Sequence, residues 1–284
     1  LTDRFASLLK SRRTIVMGVV NVTPDSFSDG GSFLSPDAAI DHACRLVDEG
    51  ADILDIGGES TAPNSPPVSI EEEYRRVMPV VEECAKRGFF VSVDTYKAVV
   101  AHRALRAGAE MINDVTALRA DDDLAEVLAK SDCAVVLMYS KDPSPRTEPT
   151  VRTYDDVVRE IAQFLSERAQ LAELCGIARD RIVVDPGMGA FVSGDPGPSL
   201  EILRRASEFQ VLGCPVLIGA SRKGFIGKML NASVHDRLEG SLACAAIAAW
   251  HGVKIIRAHD VAPTVRIVRM VDAIGGNQQA VSST

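Results

Sequence analysis

Four basic side chains stand at the ends of two consecutive apolar runs. Arg222 and Lys223 follow "PVLIGAS" (Pro215–Ser221), and Arg257 and His259 lie in "VKIIRAHD" (Val253–Asp260). A helix pattern, Gly224–Leu230, begins directly after Lys223. Helix N-termini carry partial positive charge and disfavour cations, so paired cations there point to a visiting anion. Three other runs end in acceptors: Asp94 in "VSVDT", Asn113 in "INDV" and Asp185 in "DPGMG". Carboxylates and an amide converging in a pocket suit a flat ring rich in N–H donors. Asn21 ends the first run, and Gly57-Gly58-Glu59-Ser60-Thr61 the second. Met138-Tyr139 ends the fifth. Taken singly, Asp94 could cap a helix, Asn113 could make a turn and His259 could sit on the surface. Those readings leave the convergence unexplained, because buried polar groups need partners. The set implies a compact phosphorylated heterocycle, anion on one side and ring on the other.

Elements must bring these residues together. Eight β-rich runs are predicted: Thr14–Thr23, Ala51–Gly58, Phe89–Thr95, Met111–Thr116, Cys133–Ser140, Arg181–Gly187, Pro215–Ser221 and Val253–Asp260. Helical patterns separate them. One is Ser69–Arg87, where Ser69 and Glu72 form a capping-box signature. Another is Val151–Cys175, with Val157, Ile161, Leu165 and Ala169 on one face. Six helices are predicted to stop at Gly50, Gly88, Gly108, Gly176, Gly213 and Gly252. Helix-to-strand connections are short, whereas Pro24–Leu34, Glu59–Val68, Lys141–Thr150 and Met188–Gly197 are long strand-to-helix loops. Eight alternating units predict an α/β fold, a single-domain (β/α)₈ TIM barrel over 1–284 with a frayed tail at 275–284. An open doubly wound sheet is the alternative, but no GxGxxG follows the first run. In a barrel the functional face lies at the strand C-terminal ends, where the polar residues fall.

Composition narrows the classes. The chain has 284 residues, net charge −8 and 46% hydrophobic residues, enough for one large core. The acidic balance argues against a general nucleic-acid partner. No apolar run reaches the ~18 residues a membrane helix needs, and residues 1–13 do not read as a signal peptide. Six scattered cysteines without a CxxC pair read as reduced thiols, which predicts a cytoplasmic protein. There is no HExxH and no serine-type triad pattern.

Seven motifs, in order, resemble the dihydropteroate synthase family. They are "MGVVNVTPDSFSDGG" (Met17–Gly31), "DILDIGGEST" (Asp52–Thr61), "VSVDT", "INDV", "DPGMG", "GASRKGFIG" (Gly219–Gly227) and "IIRAHDV" (Ile255–Val261). The resemblance implies condensation of a dihydropterin-methyl pyrophosphate with p-aminobenzoate, releasing pyrophosphate. It implies that Asp94, Asn113, Met138, Asp185 and Lys223 hold the pterin. Asn21, Arg257 and His259 would hold the pyrophosphate, with Mg²⁺ at Asn21. Phe27, Thr61, Pro63, Ser221 and Arg222 would line the p-aminobenzoate side, and the loop carrying Asp25, Phe27 and Asp29 would close over both substrates. Asp94, Asp185, Lys223 and Asn21 would act in catalysis. The resemblance also implies a homodimer, supported by Ser241–Trp250, a helix apolar almost all round.

The departures gather on one side. "ESTAPNSPP" (Glu59–Pro67) stands where the family commonly has "ESTRPG", so Ala62 replaces an arginine and Asn64 a glycine. Tyr139 replaces a histidine, and the loop after Asp185 resembles the sulfonamide-insensitive branch. A pterin-binding methyltransferase barrel, or a pterin-binding protein without turnover, is the alternative; neither needs Lys223 together with the Arg257 and His259 pair.

Overall fold

The computed structural model describes residues 3–23, 36–61 and 65–276. Asp25, Phe27, Asp29, Ala62, Pro63 and Asn64 lie outside them, as does 277–284 of the expected tail. Eight parallel strands form one sheet: β1 (Ile15–Asn21), β2 (Ile53–Gly57), β3 (Val91–Asp94), β4 (Met111–Asp114), β5 (Ala134–Met138), β6 (Ile182–Asp185), β7 (Leu217–Ile218) and β8 (Ile255–Ala258). Their order is β6-β5-β4-β3-β2-β1-β8-β7. A parallel bridge between Val184 and Val216 joins the two ends, so the sheet is a barrel. The helices are α1 (Asp3–Lys10), α2 (Pro36–Asp48), α3 (Ile70–Lys86), α4 (Ala98–Arg106), α5 (Leu124–Ala129), α6 (Val157–Leu174), α7 (Gly197–Arg204), α8 (Gly224–Leu230), α9 (Leu238–Trp250) and α10 (Val261–Ile274).

Two predicted segments contract. The run at Pro215–Ser221 becomes a two-residue β7, because Val216 is spent on closure: it bridges Val184, and its carbonyl accepts from Lys254 at 2.9 Å and Ile255 at 3.0 Å. The helix expected over Val151–Cys175 starts at Val157, because Asp156 caps it by accepting from the Val158 and Arg159 amides, both at 3.1 Å. The residues before it instead line the loop after β6; the Arg152 amide donates to Ser193 Oγ. All six predicted glycine stops have positive φ, from +64° to +108°. Ser69 caps α3 through the Glu72 amide, as its spacing predicted.

Alternation along the strands divides the barrel interior by height. Successive residues face opposite sides of a sheet. Ile15, Met17, Ile53, Met111, Ala134, Val136, Val183, Leu217 and Ile255 form an inner apolar cluster, while Val16, Val20, Leu54, Ile56, Ile112 and Val184 pack outward under the helices. At the strand N-terminal end α1 closes the barrel. Its Phe5 is fully buried on that cluster and lies 6.0 Å from the Phe90 ring, worth roughly 1.5–3 kcal/mol by burial. Continuing the same alternation upward brings Asp55, Asp94, Asn113, Asp185 and Arg257 to the inside of the other end. The apolar floor therefore dictates where the polar ceiling must be.

Candidate active site

Strand register sets the level of the upper interior. Asn21 is opposite Gly57, Gly57 opposite Asp94, and Asp94 opposite Asn113. Met138 is opposite Asp185. Gly57 matters at this level: a Cβ there would stand 3.5 Å from that of Asp94, so the small residue leaves the mouth open. Asp55 lies one inward-facing position below, fully buried. It accepts from Ser92 Oγ at 2.7 Å, Asn113 Nδ2 at 3.0 Å and Arg257 Nε at 2.6 Å. Arg257 starts lower still, opposite Met17. Its side chain climbs to place Nη2 3.0 Å from Asp94 Oδ2.

Burial dominates the electrostatics. Burial and the neighbouring Asp55 carboxylate push Asp94 above the usual carboxylate range, against the pull of Arg257. Burial raises Asp185 to about 6, opposed by the Gly187 amide and by Lys223. That amide donates to Asp185 Oδ1 at 2.7 Å. Burial lowers Lys223 to about 8, with Asp185 opposing. Its ammonium lies 4.8 Å over the Phe191 ring, a cation–π geometry. Phe191, Met138 and Val115 make a small apolar cluster beside these charges. One wall thus offers acceptors and the other a flat apolar surface, which suits a polar heteroaromatic ring.

The second half of the mouth is a cleft of about 310 Å³ lined by Gly219, Ser221, Arg222, Lys223, Val234, Arg257 and His259. Ser221 Oγ is 3.0 Å from His259 Nδ1 and accepts from the His259 amide at 3.2 Å. Burial, then Arg257 and Arg222, lower His259 to about 4, so the ring is neutral at pH 7 and offers a hydrogen bond rather than a charge. Arg222 differs from the expectation of a free cation. Its guanidinium pairs through two bonds with Asp260, and its backbone is held at φ +56° with the amide donating to Ser241 Oγ. The two cations at the start of α8 therefore have different balances: one is paired locally, and Lys223 faces the mouth.

The structure brings Asp94, Asn113, Asp185, Lys223 and Arg257 together around Asp55, with Met138 beside them. Asn21, at the end of β1, and Thr61, in the loop after β2, are half-buried. Phe27 and Pro63 are outside the described residues. Tyr139 points away from the mouth: it is buried in the outer core, meets Phe164 edge-on at 5.1 Å, and its hydroxyl lies 3.2 Å from that of Tyr154. Asp55 went unassigned from sequence, although an aspartate in the middle of "DILDIGG" that alternates with Ile53 and Gly57 is a buried charge by spacing alone.

The family model for pterin binding enzymes matches residues 17–259. The chain belongs to the pterin binding enzyme family. It is 43% identical over 259 residues to the dihydropteroate synthase of Escherichia coli (strain K12), covering 91% of this chain and 90% of that one. Among solved structures it resembles Xanthomonas albilineans dihydropteroate synthase with 4-aminobenzoic acid, with TM-score 0.86, 42% identity and 94% of each chain covered. The same enzyme in complex with 7,8-dihydropteroate matches with TM-score 0.83 and 42% identity, over 94% of this chain and 95% of that one. A pterin binding enzyme of this barrel type explains why acceptors and basic groups share one mouth.

Proposed function

We propose that the chain catalyses the dihydropteroate synthase reaction, joining a dihydropterin-methyl pyrophosphate to p-aminobenzoate to give 7,8-dihydropteroate and pyrophosphate. The observation that carries this reading is the two-sided mouth, acceptors at Asp94, Asn113 and Asp185 and basic groups at Lys223, Arg257 and His259, in a chain so similar to enzymes of that name. The bond between the pterin methylene carbon and the pyrophosphate oxygen breaks, its electron pair leaving with pyrophosphate. The arylamine nitrogen then bonds to that carbon and gives up a proton. Asp94, Asn113 and Asp185 hold the ring N–H groups, and the two carboxylates stabilise positive charge spreading into the ring. Lys223 bridges the ring and phosphate sides, and Met138 with Phe191 supplies the apolar face. Arg257 and His259 hold the pyrophosphate. Thr61 and Ser221 line the p-aminobenzoate side, for which the family resemblance also names Phe27 and Pro63, and Arg222 holds Ser221's loop there through Asp260.

Mg²⁺ fits the phosphate corner by donor chemistry. Asn21 presents a neutral amide at the mouth, and Mg²⁺ characteristically keeps several waters and takes phosphate oxygens rather than a protein cage. Among the described residues no group of three His, Cys, Asp or Glu is placed to form such a cage. Asn21 would hold the ion, which when bound neutralises charge on the leaving pyrophosphate. The reading extends to a cytoplasmic homodimer. Six free cysteines support the first part, and the exposed Ile247, Trp250, Met270 and Ile274 on α9 and α10 support the second. Discrimination against sulfonamides is the last part. It is supported by the departures at Ala62, Asn64, Pro66 and Pro67 on the p-aminobenzoate side, where a change can separate the two ligands.

The test is product formation from pterin pyrophosphate and p-aminobenzoate with Mg²⁺, repeated with chelator and with added sulfonamide. Turnover that stops on chelation is expected; absence of pteroate under all conditions rejects the reading. A sulfonamide inhibition constant at least about tenfold above the p-aminobenzoate KM, or ~1.4 kcal/mol of differential binding, is expected, and comparable values reject the discrimination.

A further inference from the structure

A buried charge cluster lies under the p-aminobenzoate side, and the proposed chemistry does not use it. The Glu59 and Glu73 side chains are 3% and 1% exposed. The Lys97 ammonium bridges them, 2.5 Å from each, and also donates to the Val68 carbonyl at 2.7 Å. Two carboxylates against one ammonium leave a buried negative charge, which is costly unless answered. On α3, Arg75 is spent on Glu72, and Arg76 on Glu72 and the Gly58 carbonyl. The answering charge is Arg146, which pairs with Glu59 from the loop after β5.

The same guanidinium does more than balance charge. Arg146 Nε donates to the Ser65 carbonyl at 2.9 Å, and Nη2 faces the Pro66 carbonyl at 3.3 Å. Ser65 Oγ in turn donates to Ser60 Oγ at 2.9 Å. One side chain therefore fastens residues before and after Thr61. The loop that carries it is anchored on its other side to the loop after β6. Thr147 Oγ1 donates to the Ala190 carbonyl at 3.0 Å, and the Lys141 amide to the Phe191 carbonyl at 2.8 Å. Phe191 is the ring under Lys223. Arg146 thus links the two sides of the mouth without entering it.

Resting on the proposed function, we infer that Arg146 is a positioning residue for p-aminobenzoate, holding Thr61 in place from a loop that also supports Phe191. A planar fork can meet one carboxylate and two carbonyls together; a lysine can answer the charge but not hold that geometry. Arg146→Ala is expected to raise the KM for p-aminobenzoate about tenfold, while kcat and the KM for pterin pyrophosphate stay within about twofold. Arg146→Lys is expected to fall between, recovering thermal stability more than KM. Hydrogen exchange at the Thr61 and Ser65 amides, measured without substrates, should quicken in Arg146→Ala. An unchanged p-aminobenzoate KM, or parameters for both substrates falling together with stability, overturns the inference. Unchanged exchange overturns it independently of any activity. An inactive wild-type protein would reject the proposed function instead, and the exchange result would still be read.

Discussion

At the residue scale, the mouth stores charge where burial resists it. Asp185, raised to about 6, has a native carboxyl that holds its proton more tightly than the unfolded one. Its charge therefore costs stability in full above pH 6, and the cost fades as pH falls toward 4. Lys223, lowered to about 8, costs stability in full below that pH and is relieved as pH rises toward its ordinary range. Both charges are present at neutral pH and wait for a ligand. The expected result is a bell-shaped pH profile of kcat/KM for the pterin substrate. It should decline below about pH 6 as Asp185 protonates and above about pH 8 as Lys223 loses its proton. A profile flat from pH 5 to 9, on an order-of-magnitude scale, would separate both groups from substrate binding.

Asp55 makes the second residue-scale case. It accepts from Ser92, Asn113 and Arg257 and is fully buried. Asp55→Asn leaves the guanidinium without its full counter-charge, so a stability loss of about 3–5 kcal/mol in urea unfolding is expected. Pterin affinity should fall with it, because Asn113 and Asp94 are held through the same network. Unchanged stability and affinity would show that Arg257 is satisfied by Asp94 alone. Most of the candidate site residues were legible because seven motifs carry them, whereas Met138 and Pro63 lie in none; Asp55 was hidden within one of those motifs. Spacing shows that it faces inward, whereas its three donors come from β3, β4 and β8, more than 35 residues away along the chain.

At the element scale, the loops matter more than the strands. Gly187 has φ +69°, and a Cβ there would lie 2.3 Å from the Tyr139 carbonyl oxygen. Its amide also fixes the Asp185 carboxylate. Gly213 has a similar φ of +64°, but a Cβ there would have nothing within 4 Å. The pair separates backbone strain from steric exclusion. Gly213→Ala is expected to cost only the left-handed penalty, about 1–2 kcal/mol. Gly187→Ala should cost clearly more than that and weaken pterin binding as well, since the clash displaces the turn that holds Asp185. Equal losses by urea titration would mean the Tyr139 contact relaxes freely. Gly213 was legible as a helix stop, which has a local signature, whereas Gly187 read only as the end of the sixth run and a member of "DPGMG". The reach of Arg146 into another loop had no local signature, since charge balance at Glu59 depends on Glu73 and Lys97 from separate elements.

At the scale of the whole molecule, the eight alternating runs foretold parallel strands with covering helices. Closure, which the count of eight units also foretold, runs through the bridge of Val184 with Val216, and no pattern in "PVLIGAS" announces which residue makes it. The same limit applied to α9. Its sequence is apolar around most of its circumference, so periodicity cannot say which face stays outside. The structure places Ala245, Ala248 and Ala249 inward and leaves Ile247 46% and Trp250 59% exposed. α10, packed beside α9, exposes Met270 and Ile274. These residues lie near the C-terminal ends of both helices, which return the chain toward the strand N-termini. These exposed apolar residues therefore lie toward the base of the barrel, away from the mouth. A second copy meeting them there would bury them without blocking substrate entry, and a stable symmetric contact needs about 1,200–2,000 Å² in total. The proposed homodimer should consequently persist at micromolar concentration by mass measurement. Replacing Ile247 and Trp250 together by lysine is expected to give monomers, since charged groups would have to be desolvated on both sides of the contact. Turnover in those monomers should stay within a few-fold of the native value, because no residue of the mouth is touched. A monomeric native protein would leave these residues as plain surface. A variant that remains dimeric would move the interface to another face of the barrel.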